Sequence, residues 1–249
     1  MGSTGVDRMK VFSIYTDSTR HLLKKWFLPS LKDDWDLRLI YFPDYKDNGD
    51  YRSPQWYKLL QEKLFLLIDA IKKNPGEVIL WTDVDFQFFR KCDPEIRTFI
   101  AGKDIVFQDW SHFGKTVCMG FMAIRCNPAA LSFFEKILAT DFSSLEYGDQ
   151  DVADQILKES KDLRWGVFSK RIYAVYMGEP SSDIIAHHAC ATDKPFYRGK
   201  KYYSSMDLKI KQLRHVRDMV TRPVLFRIKR RVTWLWRGFM GNFSRKGEK

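Results

Sequence analysis

The tripeptide Asp83-Val84-Asp85 places two carboxylates one residue apart, directly after the apolar run Glu77 to Trp81 (EVILW) and Thr82. Alternation along a strand puts residues i and i+2 on one side, so both carboxylates can serve one centre. Two such groups this close repel and raise one pKa, a conflict that a divalent cation removes. Hard oxygen donors, with a substrate diphosphate to complete the shell, suit Mn2+ or Mg2+.

Other chemistry-bearing residues stand apart in the chain. His187 and His188 follow the apolar run Asp183 to Ala186 (DIIA), and Lys194 lies six residues beyond His188. An imidazole is a good partner for carboxylates around Mn2+, while a hydrogen-bonded core histidine is the plain alternative for either ring. Asp149 and Gln150 stand just before VADQIL, where capping a helix is the plain reading. Lys63 sits in a helical pattern, where a solvated helix-face lysine is the plain reading. Trp110, His112 and Phe113 form a polar-aromatic loop that could stack on an acceptor sugar. A rival reading makes Asp83 the nucleophile of an aspartyl phosphatase. That pattern opens its fold and wants Thr or Val two residues past the second Asp, where Gln87 stands here.

The elements that must position these groups read as an alternation. Lys10 to Thr16 (KVFSIYT) is a β-branched and aromatic run delivering Asp17-Ser18, which can cap a helix through Leu22, Leu23, Trp26 and Phe27 that Pro29 helps to end. Asp36 to Phe42, Asp104 to Gln108 and Val117 to Arg125 read as further strands. Trp56 to Lys73, Ala129 to Leu138 and Asp151 to Lys158 carry helical periodicity. Strands alternating with helices imply a mixed, mostly parallel α/β sheet covered on both faces, and open sheets of this kind bind ligands at the carboxyl ends of their strands.

In that frame the order of motifs resembles the GT-A nucleotide-diphospho-sugar transferases, a Rossmann-like fold, and in particular the retaining glycogenin and lipopolysaccharide galactosyltransferase group. Thr16-Asp17-Ser18 resembles the nucleoside-binding turn, and Asp83 with Asp85 matches the DxD. Gly120-Phe121-Met122 resembles the family's N-x-G-hydrophobic strand, with Cys118 in place of Asn. Gly148-Asp149-Gln150-Asp151 resembles the DQD segment, with Asp154 near the place of its terminal Asn. His188 to Phe196 (HACATDKPF) resembles the closing His-x5-Lys-Pro-Trp, with Phe for Trp and Ala191 for Gly. The resemblance implies a metal-dependent glycosyltransferase using a nucleotide-sugar, by base rate a UDP-sugar, with a glycan, lipid-linked or protein acceptor. It implies Asp83, Asp85 and His188 as metal ligands, Thr16, Asp17, Lys63, Asp83 and Lys194 as donor contacts, and Asp149 and Gln150 at the reacting sugar.

The chain has 249 residues and a formal charge of +11. Residues 206–249 hold 13 Lys and Arg against 3 Asp and Glu, so the rest is nearly neutral. A catalytic domain over 1–205 and a basic amphipathic tail over 206–249 follow. In the tail Leu225, Ile228, Val232, Leu235 and Phe239 recur among Arg227, Lys229, Arg230 and Arg231, with Trp234 and Trp236. That composition fits a helix lying in an anionic membrane interface, or one packed on the protein's own body. No nucleic-acid motif accompanies it. A non-catalytic membrane- or nucleic-acid-binding module is the remaining alternative. Cys92, Cys118, Cys126 and Cys190 form no CxxC pair, as expected of a reducing, cytoplasmic setting. No apolar stretch reaches the roughly 18 residues of a spanning helix.

Overall fold

The computed structural model describes residues 8–43, 53–111, 115–142, 145, 148–174, 183–190, 196–198 and 201–226. Six strands form the main sheet: β1 (Lys10–Tyr15), β2 (Asp36–Tyr41), β3 (Val78–Thr82), β5 (Ile105–Asp109), β6 (Val117–Arg125) and β7 (Trp165–Val167). Their order is β2-β1-β3-β6-β5-β7. β1 runs parallel to β2 and β3, and β5 parallel to β7, while β6 alone is antiparallel to both its neighbours.

Strict alternation builds the two faces of this sheet. Ile79 and Trp81 of β3, Ile105 and Phe107 of β5, and Met122 and Ile124 of β6 pack into one core. That core is closed by α3 (Pro54–Lys73), α5 (Pro128–Leu138) and α6 (Asp149–Glu159). Leu80, Val106, Phe121 and Ala123 point the other way. They meet a helical stretch made of α1 (Arg20–Leu22), a π turn (Leu23–Phe27) and α2 (Leu28–Ser30), together with α4 (Asp93–Ile100) and α7 (Ser205–Thr221). Ser53 accepts from Trp56 N and Asn127 from Ala130 N, so each cap fixes where its long helix starts.

The expected Asp17 or Ser18 cap does not form. Thr19 precedes α1 without a side-chain cap bond, and Pro29 lies within α2. A second sheet, β4 (Phe86–Phe88), β9 (Ala186–His188) and β8 (Ile172–Ala174), joins the end of β3 to the segment that carries the paired histidines. β10 (Phe196–Arg198) and β11 (Lys201–Tyr203) form a hairpin before α7.

Candidate active site

β3 stops at Thr82, and Asp83-Val84-Asp85 occupies the turn into β4. A turn, not strand alternation, therefore brings the carboxylates together. Val84 is buried in the core on the α7 side, and two backbone bonds hold the turn, Asp83 N to Gly120 O at 2.8 Å and Ala189 N to Asp85 O at 3.0 Å. Across the antiparallel β4–β9 pair, Phe86 stands opposite His188. That register delivers one imidazole to the carboxylates. Ligand atoms of Asp83, Asp85 and His188 all lie within 4.8 Å of one another.

The pair of histidines separates by the same alternation. His188 Nε2 lies 3.1 Å from Asp85 Oδ1, and its Nδ1 is 2.7 Å from Gln108 Oε1, an atom that can only accept. With one proton kept on Nδ1 by Gln108, Nε2 donates to Asp85 while the ring is an imidazolium and can offer its electron pair to a cation once that second proton is lost. The ring stacks on Phe86 at 4.4 Å. His187 points away, to Gln87 Nε2 at 3.0 Å. Burial pulls His187 down to about 3, so it is a neutral core histidine.

Electrostatics divide the two aspartates. Burial and the neighbouring Asp85 push the Asp83 carboxyl up. Burial would raise Asp85 too, but Lys209 and His188 hold it well below the usual carboxylate range. Burial works against the His188 imidazolium, and Cys190 and Asp85 outweigh it, leaving the ring well above its ordinary value. Because burial also pushes the Cys190 thiol up to about 11, Asp85 is the partner that carries this effect at neutral pH. Gly120 borders the cluster: a Cβ there would sit 2.4 Å from His188 Cε1 and 2.9 Å from Asp83 Oδ2.

A second charged group adjoins this one. Lys63 on α3 is buried and forms an ion pair with Asp149 in the first turn of α6. Burial lowers the Lys63 ammonium, yet Asp149 and Asp83 together outweigh that and raise it. Lys63 is thus no solvated helix-face lysine. Gly148, not Asp149, precedes α6 as its cap, at φ +57. A side chain there would be strained and would meet Leu60 Cδ1 at 2.6 Å. Gln150 is buried, and its Nε2 has no hydrogen-bond partner among the described residues. Asp154, where the family's segment ends in Asn, accepts from Thr116 N and Val117 N at 3.2 Å and so anchors the start of β6.

Lys209 of α7 belongs to the cluster and was not among the candidates from sequence. Its Nζ pairs with Asp85 Oδ2 and reaches Ala189 O at 3.1 Å. A signal existed: Lys209, Leu213 and Val216 stand at i, i+4 and i+7, and Leu213 and Val216 are fully buried. Thr16 and Asp17 make their described contacts elsewhere. Thr16 is buried at the end of β1 and bonds Ser18 and Thr19, while Asp17 is exposed and taken by Arg20 and Tyr41 at 2.7 Å each. Trp110 packs with Cys118 and Cys190. Lys194, His112 and Phe113 lie outside the described residues. All four cysteines are free and buried.

Residues 16–213 match the nucleotide-diphospho-sugar transferase family. No curated protein matches the chain in sequence. Among solved structures it is similar to the glycosyltransferase GlyE of Streptococcus pneumoniae TIGR4, at 10% identity and a TM-score of 0.53, over 83% of this chain and 60% of that one. This chain therefore spans less than two thirds of GlyE. It is also similar to a glycosyltransferase involved in the glycosylation of the major capsid of PBCV-1, at 13% identity and a TM-score of 0.53, over 82% and 98%. The phosphatase and non-catalytic readings give way to the family match. The chain belongs to the nucleotide-diphospho-sugar transferase family, with a GT-A fold.

Proposed function

We propose that this glycosyltransferase takes its sugar from a UDP-sugar, with a divalent cation, Mn2+ or Mg2+, held by Asp83, Asp85 and His188. The observation that carries the metal is the convergence of three donor atoms within 4.8 Å, from segments about a hundred residues apart in sequence. The donor set fits: two carboxylates and a neutral imidazole nitrogen suit Mn2+, and Gln108 orients the ring from behind as outer partners of metal-binding histidines do. Asp85 Oδ1 is buried and, apart from His188, has no polar partner among the described residues. Bound there, the cation would act as a Lewis acid on the donor diphosphate.

The chain's own residues do the rest. Lys63 and Lys194 offset charge on the diphosphate, a stabilisation that grows as the sugar–phosphate bond breaks. Asp149, paired with Lys63, would flank the reacting sugar, and the Gln150 amide is a buried donor suited to a sugar oxygen. Thr16 and Asp17 border the nucleoside. The choice of UDP and retention of anomeric configuration rest on the family resemblance. The acceptor class is a glycan, a lipid-linked sugar or a protein. The basic and aromatic residues 227–249, past the packed helix α7, suit an anionic membrane interface on the cytoplasmic side, which would bring the site to a lipid-linked acceptor.

The test is thermal unfolding with UDP, GDP, CDP and ADP, each with and without Mn2+. A ligand at a hundred times its Kd stabilises by about 2.7 kcal/mol. UDP is expected to raise the melt only with Mn2+, and Asp85→Asn to remove that shift. If no nucleotide shifts the melt with any metal, the donor reading is wrong. If GDP, CDP or ADP replaces UDP, only the base is wrong.

A further inference from the structure

We infer that Lys209, delivered from the C-terminal helix α7, is a specificity-determining residue of this metal site, one that makes uptake of the cation conditional on the donor diphosphate. The inference rests on the metal reading above. Its basis is the charge that the fold encloses around Asp85. Among the described residues, three carboxylates, Asp83, Asp85 and Asp149, are countered by two ammonium groups, Lys63 on Asp149 and Lys209 on Asp85. Counted with Asp83 ionised and His188 neutral, the states in which they can hold a cation, the group carries one net negative charge. A divalent cation alone overshoots to one net positive charge in a closed site, where unbalanced charge is expensive. A cation arriving with a diphosphate does not.

Lys209 decides that balance by its position. It bonds Asp85 Oδ2, so the carboxylate keeps Oδ1 turned to His188 Nε2 at 3.1 Å. Its second bond, to Ala189 O at 3.1 Å, ties it to the residue after His188. The backbone closes the loop, since Ala189 N donates to Asp85 O at 3.0 Å. Lys209 therefore stands on both segments that supply ligands, as a resident cation beside the place of the incoming one. Leu213 and Val216, fully buried one and two turns along, fix the stem of α7 against the core. Without the Lys209 charge the group would carry two net negative charges, which a divalent cation neutralises unaided.

The experiment measures Mn2+ binding by calorimetry to the full chain, with and without UDP, for wild type, Lys209→Gln, Lys209→Met and Lys209→Arg. Gln keeps a hydrogen bond to Asp85 without the charge, so it guards against a Met variant that fails to fold. Wild type is expected to bind bare Mn2+ weakly and to gain strongly from UDP. Lys209→Gln and Lys209→Met are expected to bind bare Mn2+ about tenfold tighter than wild type, because one nearby positive charge is gone. Their gain from UDP shrinks by the same factor, while Lys209→Arg behaves as wild type. Unchanged or weaker bare-Mn2+ binding in the folded neutral variants overturns the inference and leaves Lys209 a structural contact. A different result, no Mn2+ binding to wild type under either condition, or binding that Asp85→Asn leaves unchanged, removes the metal reading itself.

Discussion

Gly120 sits where β6 passes beneath the carboxylates, and its missing side chain is a requirement of the site. A Cβ would lie 2.4 Å from His188 Cε1 and 3.1 Å from its Nε2. His188 cannot retreat, since Phe86 stacks on one side and Gln108 holds Nδ1 at 2.7 Å. Gly120→Ala should therefore displace the imidazole or the Asp83 carboxylate while leaving the fold intact. The expected result is loss of the Mn2+-dependent nucleotide shift, with a stability loss of about 1–3 kcal/mol of the overpacking kind. Calorimetric Mn2+ affinity equal to wild type would contradict this geometry. The sequence showed this glycine only as part of a strand motif. The physical reason for it, a close approach by a histidine far along the chain, was not legible there. The choice between His187 and His188 was legible only through spacing to Lys194, whereas in the fold the β4–β9 register settles which ring faces Asp85.

At the scale of elements, α7 shows what periodicity can and cannot say. Its basic residues read as a tail with a separate task, yet Leu213 and Val216 are fully buried and Met219 nearly so. Gln87 Nε2 donates to Leu213 O at 2.9 Å, tying the helix to β4. Arg217 lies over the Trp26 ring at 5.1 Å. Leu213→Ala should cost about 2–5 kcal/mol, as buried leucine truncations do, whereas Arg214→Ala on the exposed face should stay within about 0.5 kcal/mol. Urea unfolding of both variants checks the contrast, and equal midpoints would mean that α7 contributes nothing to the core. Helices of the α3 kind were legible because one apolar stripe repeats over many turns. The reversed direction of β6 was not, because VCMGFMAI is buried on both faces and reads alike in either direction. The strands of the second sheet, three residues each, are too short for any period to show.

For the whole molecule, the question is where the catalytic unit ends. A division after residue 205 follows the change in charge, and the packing of α7 argues for a later one. Removing residues 205–249 would uncover the face of Val11, Leu80 and Phe121 that shares a core with Leu213, and would take Lys209 from Asp85. Removing only 227–249 leaves every contact described here in place, while deleting most of the basic and aromatic residues. No helix among the described residues is long and apolar enough to cross a membrane. Three chains separate these roles: full length, one ending at Phe226 and one ending at Ser204. The chain ending at Phe226 should melt with the full-length protein and keep its Mn2+-dependent nucleotide shift, but lose flotation with vesicles rich in anionic lipid. The chain ending at Ser204 should melt lower or aggregate, and should lose the nucleotide shift. If instead the Ser204 chain keeps both melt and shift, α7 is an appendage and the boundary lies where the charge changes. Equal flotation of the full-length and Phe226 chains would remove the membrane role from residues 227–249.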